Sequence, residues 1–225
     1  MEKEFTDKLA IEVEKFLVKR GGIWKYEGIG PHVLLTSGMH SGWFFDISYA
    51  ICEDPRGAEF LAELLVRKLK KEIGDLLSKA TRVVSSAMAG IILGHEVAKK
   101  LGIKFAYCDK EGNDQVLKRV SLKDNEVILQ IEELITTLST TQKVTRAILR
   151  NNPKVEILQR NGKIIVGTII HRPPEFKENP DYEIIALWQK EIQSYHPEEC
   201  PMCKQGSKAL RFKENREKFF NNFIN

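Results

Sequence analysis

From Arg82 to Leu187, short apolar runs alternate with helical stretches, and few architectures accommodate that alternation. Arg82-Val83-Val84-Ser85 reads as a buried strand, and a helix follows from about Ala89 to Leu101, with Gly102 just past its end. Ile103 to Tyr107 and Val127 to Ile131 read as two more strands, with a helix over Thr140 to Arg150. Asp109 to Asp124 is polar, and part of it, Val116 to Leu122, is expected to be extended. Val155 to Gln159 and Lys163 to Ile170 flank Asn161-Gly162, a tight-turn signal, and Glu183 to Leu187 is the last core strand. Strands that alternate with helices imply an α/β fold, a mostly parallel central sheet flanked by helices. Ligands of such sheets bind beyond the carboxyl ends of the strands. Four segments fall there: Ser85-Ser86-Ala87, Asp109-Lys110, Glu132-Glu133 and Arg172.

Before this core, Phe5, Leu9, Val13, Phe16 and Leu17 follow helical spacing, and Gly21-Gly22 ends that helix. Ile23 to Asp46 is rich in Gly and aromatics and reads as irregular or short-strand structure. Asp54 caps a helix that starts at Pro55 and carries Phe60, Leu61, Leu64, Leu65 and Leu69. The tail after Glu198 is polar and is expected to pack loosely.

A length of 225 residues suits one α/β domain with a subdomain, or two small domains. No apolar run approaches the roughly 20 residues that span a bilayer. Met1-Glu2-Lys3-Glu4-Phe5 is too acidic for a secretory signal, so a cytoplasmic protein is expected. The net charge of +4 is spread over Lys-rich helices. It reads as a solvated surface or as one that draws in anions; no basic stripe marks a nucleic-acid binder.

The richest segment runs from Val127 to Thr140: an apolar strand, Glu132-Glu133, the hydroxyl-rich Thr136-Thr137-Leu138-Ser139-Thr140, then a helix. Two carboxylates at a strand end accept hydrogen bonds from a vicinal diol. The N–H groups of a turn and a helix N-terminus hold an anion. A sugar phosphate matches both ends.

This segment resembles the phosphoribosyl pyrophosphate motif of the type I phosphoribosyltransferases. The resemblance implies that Glu132 and Glu133 contact the ribose hydroxyls and that Thr136, Thr137, Leu138, Ser139 and Thr140 hold the 5-phosphate. The second acid is usually Asp, and Leu138 stands where the family has Gly. Leu34 to Asp46 resembles the early signature of orotate phosphoribosyltransferase, which forms a hood over the base, with Met39 in place of a usual Lys. Val83 to Gly94 is similar to the pyrophosphate-binding strand and turn, with Ser85 and Ser86 replacing Gly-Pro, and Lys110 matches a lysine that contacts pyrophosphate. The long mobile loop with its Lys and His is not recognisable between Gly112 and Arg119; Lys118 and Arg119 are the charges nearby. Val166 to Arg172 resembles a strand ending in Asp-Arg, with His171 for Asp and Arg172 retained to grip the orotate carboxylate.

By this resemblance the catalytic residues are Lys110, Glu132 and Glu133, and the orotate site takes Ser37, Gly38, Phe44, Phe45, Thr136 and Arg172. The implied cofactor is Mg²⁺ with phosphoribosyl pyrophosphate; the implied assembly is a homodimer, with no nucleic acid or membrane partner. A non-catalytic phosphoribosyl pyrophosphate-binding regulator of the same fold, or a transferase for another base, is the alternative. The expected organisation is a single domain over residues 1–225: helix and hood to about 50, core from about 55 to 190, then the tail.

That tail, Tyr195 to Lys208, resembles a Pro-Glu-Glu-Cys-Pro-Leu-Cys-Lys ending found in one branch of these proteins. Cys200 and Cys203, even with His196 nearby, give at most three zinc ligands, short of a closed site. Zinc pooled across a dimer, and free or reversibly oxidised thiols, both stay open. Cys52 and Cys108 read as isolated buried thiols, not a disulfide framework.

Overall fold

Leu9, Val13 and Leu17 recur on one face of the first helix, α1 (Glu2–Lys19), and all three are buried in the main core. The computed structural model describes residues 2–220, with side chains from residue 8 onward, so the Phe5 side chain lies outside the described residues. Four short strands follow: β1 (Ile23–Lys25), β2 (His32–Leu34), β3 (His40–Ser41) and β4 (Trp43–Phe45). β1 pairs with β4, and β2 pairs with β3, both antiparallel. They form two small sheets in the segment expected to be the hood, and helix α2 (Ile47–Cys52) follows. Asp54 then accepts a hydrogen bond from the Arg56 N–H at 3.2 Å and caps α3 (Pro55–Ile73), which buries Leu61, Leu64, Leu65 and Leu69.

The core comprises β5 (Arg82–Ser86), α4 (Ala89–Leu101), β6 (Lys104–Glu111), β7 (Asp114–Val116), β8 (Val127–Ile135), α5 (Ser139–Asn151), β9 (Glu156–Ile157), β10 (Gln159–Arg160), β11 (Lys163–His171) and β12 (Tyr182–Gln189). Five parallel strands stand in the order β12-β11-β8-β5-β6, with antiparallel additions at β7 and β10. One face packs on α1, α3 and α4 through Leu69, Leu129 and Ile165; the other packs on α5 through Val84, Ile128 and Val144. From β5 the chain moves first to β6, then returns past β5 to β8. A crevice opens where a winding order reverses, so the expected binding edge lies between the carboxyl ends of β5 and β8.

Several segments depart from the sequence reading. The third strand continues past Ile131 to Ile135, because β11 pairs alongside it through Thr168 opposite Glu132 and Ile170 opposite Leu134. The acids thus belong to the strand. Beyond Val116 the expected extended stretch is irregular: Leu117 and Leu122 are buried, and the Asn151 side chain donates to the carbonyls of Leu117 (3.0 Å) and Val120 (2.9 Å).

The tail is not loose. After α6 (Pro201–Lys204), β13 (Ala209–Leu210) pairs in parallel with β2, and α7 (Arg216–Phe220) follows. Phe212 and Phe219 are buried beside Trp24 and Val33, and Phe212 stacks on Phe44 at 4.3 Å. Average polarity hid two aromatic anchors spaced along a charged run.

Candidate active site

Successive residues of a strand point to opposite faces, and Glu132 and Glu133 separate accordingly. Oε2 of Glu132 accepts a 2.5 Å hydrogen bond from the Ser86 hydroxyl of β5, while its Oε1 is buried without a partner among the described residues. Oε1 of Glu133 accepts from the Ser48 hydroxyl of α2 at 3.0 Å. Burial pushes the Glu132 carboxyl up to about 7; Ser86 and Gln130 oppose this, and the neighbouring Glu133 reinforces it. Burial likewise raises Glu133 to about 7, against the Ser48 hydrogen bond and with help from Asp46.

Of the serine pair, only Ser86 meets these acids. Ser85 points into α4, where a Cβ on Gly94 would stand 2.7 Å from the Ser85 Oγ, so glycine is what lets the helix approach there. Ser85 is fully buried against α4, and its hydroxyl has no hydrogen-bond partner among the described residues. Lys110 lies exposed on the β6–β7 hairpin opposite Gln115, two residues beyond Cys108, which pairs with Ser86. Lys118 pairs with Glu111 at 3.0 Å and Arg119 with Asp109 at 3.4 Å.

The turn after β8 presents exposed hydroxyls at Thr137, Ser139 and Thr140, with Thr136 half-buried. Leu138 occupies the left-handed region at φ 61° and ψ −2° and serves as the N-cap of α5. That conformation costs a residue with a Cβ about 1–2 kcal/mol. The Leu138 side chain packs against Ile135, Val166 and Tyr182, which offsets the strain. The backbone thus takes the left-handed shape suited to glycine, although a leucine fills the position.

Beside this turn lies a cavity of about 740 Å³ that joins the hood, the turn and the end of β11. Ser37, Phe44, Thr136 and Arg172 line it, as does Met39. Gly38 shapes the hood turn at φ +84°, and Phe45 stands behind the wall with the Arg172 guanidinium 5.2 Å over its ring. Arg172 Nε is buried with no hydrogen-bond partner among the described residues, and burial lowers the pKa of the guanidinium. A buried donor without a partner at a cavity wall is a place for an anionic acceptor. A second cavity, about 900 Å³, lies on the Leu138 side and includes Thr136, Thr137, His171 and Lys163. Glu132, Glu133 and Ser86 line neither cavity.

The tail contributes cations that the sequence reading missed. Arg211 and Lys213 line the hood cavity with Met39, and Lys213 also faces Asp46 at 3.6 Å. Arg216 Nη1 donates to Asp46 Oδ2 at 3.0 Å. The available signal was the alternation Arg211-Phe212-Lys213 around a buried ring, but nothing in spacing ties it to Met39. Cys200 and Cys203 stand apart from this cleft, beside His32 and His40 of the hood; His196 is not in that group.

No protein-family model matches the chain. An orotate phosphoribosyltransferase of Thermoanaerobacter sp. is 31% identical over 180 residues, which cover 78% of this chain and 84% of the relative. One of Wolinella succinogenes is 30% identical over 185 residues, covering 80% and 88%. Among solved structures, orotate phosphoribosyltransferase from Aeropyrum pernix matches with a TM-score of 0.57 at 15% identity, over 78% of this chain and 92% of that one. The last of these speaks for the fold, an α/β arrangement of the type I phosphoribosyltransferases.

Proposed function

The chain belongs to the orotate phosphoribosyltransferase family of pentosyltransferases, and we propose that the residues just described divide the reaction between the hood cavity with its adjoining turn and the buried acid pair of β8. The reaction moves phosphoribose from phosphoribosyl pyrophosphate to orotate, a step of pyrimidine nucleotide synthesis. The bond from the anomeric carbon to pyrophosphate breaks, a bond from that carbon to a ring nitrogen of orotate forms as that nitrogen's proton is lost to solvent, and orotidine 5'-phosphate and pyrophosphate leave. The protein positions both substrates and stabilises the departing charge; no covalent nucleophile is required.

The observation that carries the base assignment is the partnerless Arg172 Nε on the hood cavity. Its guanidinium grips the orotate carboxylate, with Ser37, Gly38, Phe44, Phe45 and Thr136 shaping the slot for the flat ring. Thr137, Leu138, Ser139 and Thr140 supply the turn for the 5-phosphate, through hydroxyls and through the N–H groups that open α5. Ser86 and Ser48 now donate to Glu132 and Glu133; the ribose diol offers the same kind of donor and would exchange with them. Mg²⁺ suits this end, because Glu132 Oε1 is a buried hard oxygen with no partner among the described residues, and Glu132 would hold the ion. When bound, the metal supplies charge neutralisation for the diphosphate. A homodimer would let the exposed Lys110 hairpin reach the pyrophosphate of a second copy. A cytoplasmic setting follows from the pathway; among the described residues no helix is long and apolar enough to cross a membrane.

The test is loss of orotate absorbance on incubation with phosphoribosyl pyrophosphate and Mg²⁺. Turnover is expected, and Arg172→Ala should raise the KM for orotate by roughly 100-fold, since a buried charge loses its partner. Binding of phosphoribosyl pyrophosphate without turnover would instead return the regulatory reading, which no relative named above favours.

A further inference from the structure

We propose that His32, His40, Cys200 and Cys203 form a structural Zn²⁺ site that clamps the C-terminal tail onto the hood. One ligand atom from each residue lies within 4.8 Å of all the others. His32 Nε2 stands 3.0 Å from His40 Nδ1, 3.5 Å from Cys200 Sγ and 3.6 Å from Cys203 Sγ. Cys203 Sγ is 3.3 Å from His40 Nδ1. Zn–S and Zn–N bonds of about 2.3 and 2.0–2.1 Å in a tetrahedron require edges of about 3.3–3.8 Å. Four of the six edges lie within a few tenths of an ångström of that range, and the other two, from Cys200 Sγ to Cys203 Sγ and to His40 Nδ1, lie within 4.8 Å.

The surroundings agree with a closed site. His32, His40 and Cys200 are buried, and Cys203 is half-buried. His32 Nδ1, the nitrogen turned away from the thiols, lies 2.8 Å from the Ser207 hydroxyl, which itself donates to the Gly30 carbonyl at 2.8 Å. Metal-bound imidazoles are held by such an outer partner, which fixes the ring and its tautomer. Thiolate and imidazole ligands in a full tetrahedral set select zinc among common divalent ions and leave no open position for catalysis.

The backbone explains how residues so distant in sequence meet. Leu34 faces His40 across the β2–β3 hairpin, which puts His32 and His40 at diagonal positions on one face. Tyr195 bridges to His40 through two 2.8 Å backbone hydrogen bonds, and β13 pairs Ala209 with His32. The cysteines of the intervening turn are thereby delivered onto the histidines. The same clamp fixes the start of Arg211–Glu214, the tail segment on the hood cavity.

Metal analysis of the purified chain tests this. The expected result is one zinc per chain, retained through dialysis against a weak chelator. Replacement by Co²⁺ should give the thiolate charge-transfer band and the intense visible bands of a tetrahedral Cys₂His₂ centre. Cys203→Ser and His40→Gln should each lose the metal, whereas Cys52→Ser should keep it. Trypsin should cut the tail faster once zinc is stripped. A chain that holds no zinc after reconstitution under reducing conditions, or whose cobalt spectrum lacks thiolate bands, would overturn the proposal. That readout uses the unaltered chain, so it stands even if a variant fails to fold. A Cys200–Cys203 disulfide in protein purified under reducing conditions would overturn it as well.

Discussion

Glu126 immediately precedes β8 and the Glu132–Glu133 pair lies in the strand's carboxyl half, and the chain treats the two ends in opposite ways. Glu126 is buried, yet Arg82 binds both of its oxygens (2.9 and 3.2 Å) and Lys104 adds a third contact at 2.8 Å. Burial alone would raise this carboxyl; the hydrogen bonds from Arg82 and Lys104 overcome it and hold the group at about 2. At the other end the buried acids meet serine hydroxyls, with Gln130 beside Glu132, in place of a bidentate guanidinium, and rise to about 7. Arg172, a half-buried cation just past the end of the adjacent β11, has no hydrogen-bond partner for its buried Nε among the described residues. The amino end is satisfied internally and contributes to folding. The carboxyl end is left incomplete, which is the electrostatic form of a ligand site.

The largest effect should separate the ends by stability. Glu126→Ala strands the Arg82 charge and should cost about 3–5 kcal/mol in chemical denaturation. Glu132→Gln keeps an acceptor for Ser86 while removing a charge poorly accommodated by burial, so stability should hold or rise. Equal losses at both ends would erase the contrast.

The pH dependence should differ in sign. Glu132 and Glu133 titrate near 7 when folded and near 4.5 by ordinary reference. Between those values the folded chain keeps protons that the unfolded chain releases. Their contribution is therefore fully present below about 4.5 and is lost as pH rises through 7, by at most about 3 kcal/mol per acid. Glu126 runs the other way: its contribution is present above 4.5 and is lost as pH falls through 2. Urea titrations of the wild type and of Glu132→Gln with Glu133→Gln, between these limits, should show a flatter profile in the double variant. Parallel profiles would break the assignment.

A smaller effect is expected at Leu138. Leu138→Gly relieves the left-handed backbone but removes contacts with Ile135, Val166 and Tyr182, so net stability should move by about 1 kcal/mol or less. Binding of phosphoribosyl pyrophosphate should tighten severalfold as phosphate approaches the turn more closely; weaker binding would show that the leucine packing, not the backbone shape, maintains the site.

The contrast also marks what could be read from the chain. Val127 to Thr140 was legible because strand, acids, hydroxyls and helix are contiguous, and each obeys a local rule. Arg172 was legible as the end of an apolar strand. The division of Ser85 from Ser86 was missed, because it depends on α4 packing at Gly94. The four-residue metal cluster was only half visible: Cys200 and Cys203 announce themselves by spacing, while His32 and His40 join them through strand pairing across more than half the chain. Arg211 and Lys213 arrive at the cavity by the same long-range route.

Calorimetric titration of phosphoribosyl pyrophosphate with Mg²⁺ into wild type and Glu133→Ala, above the pH at which the pair ionises, bears most directly on the unfinished acid end. Loss of charged hydrogen bonds to the sugar should weaken binding by roughly 100-fold while the variant stays as stable as its parent. Unchanged affinity in a folded Glu133→Ala chain would mean that the sugar is held elsewhere.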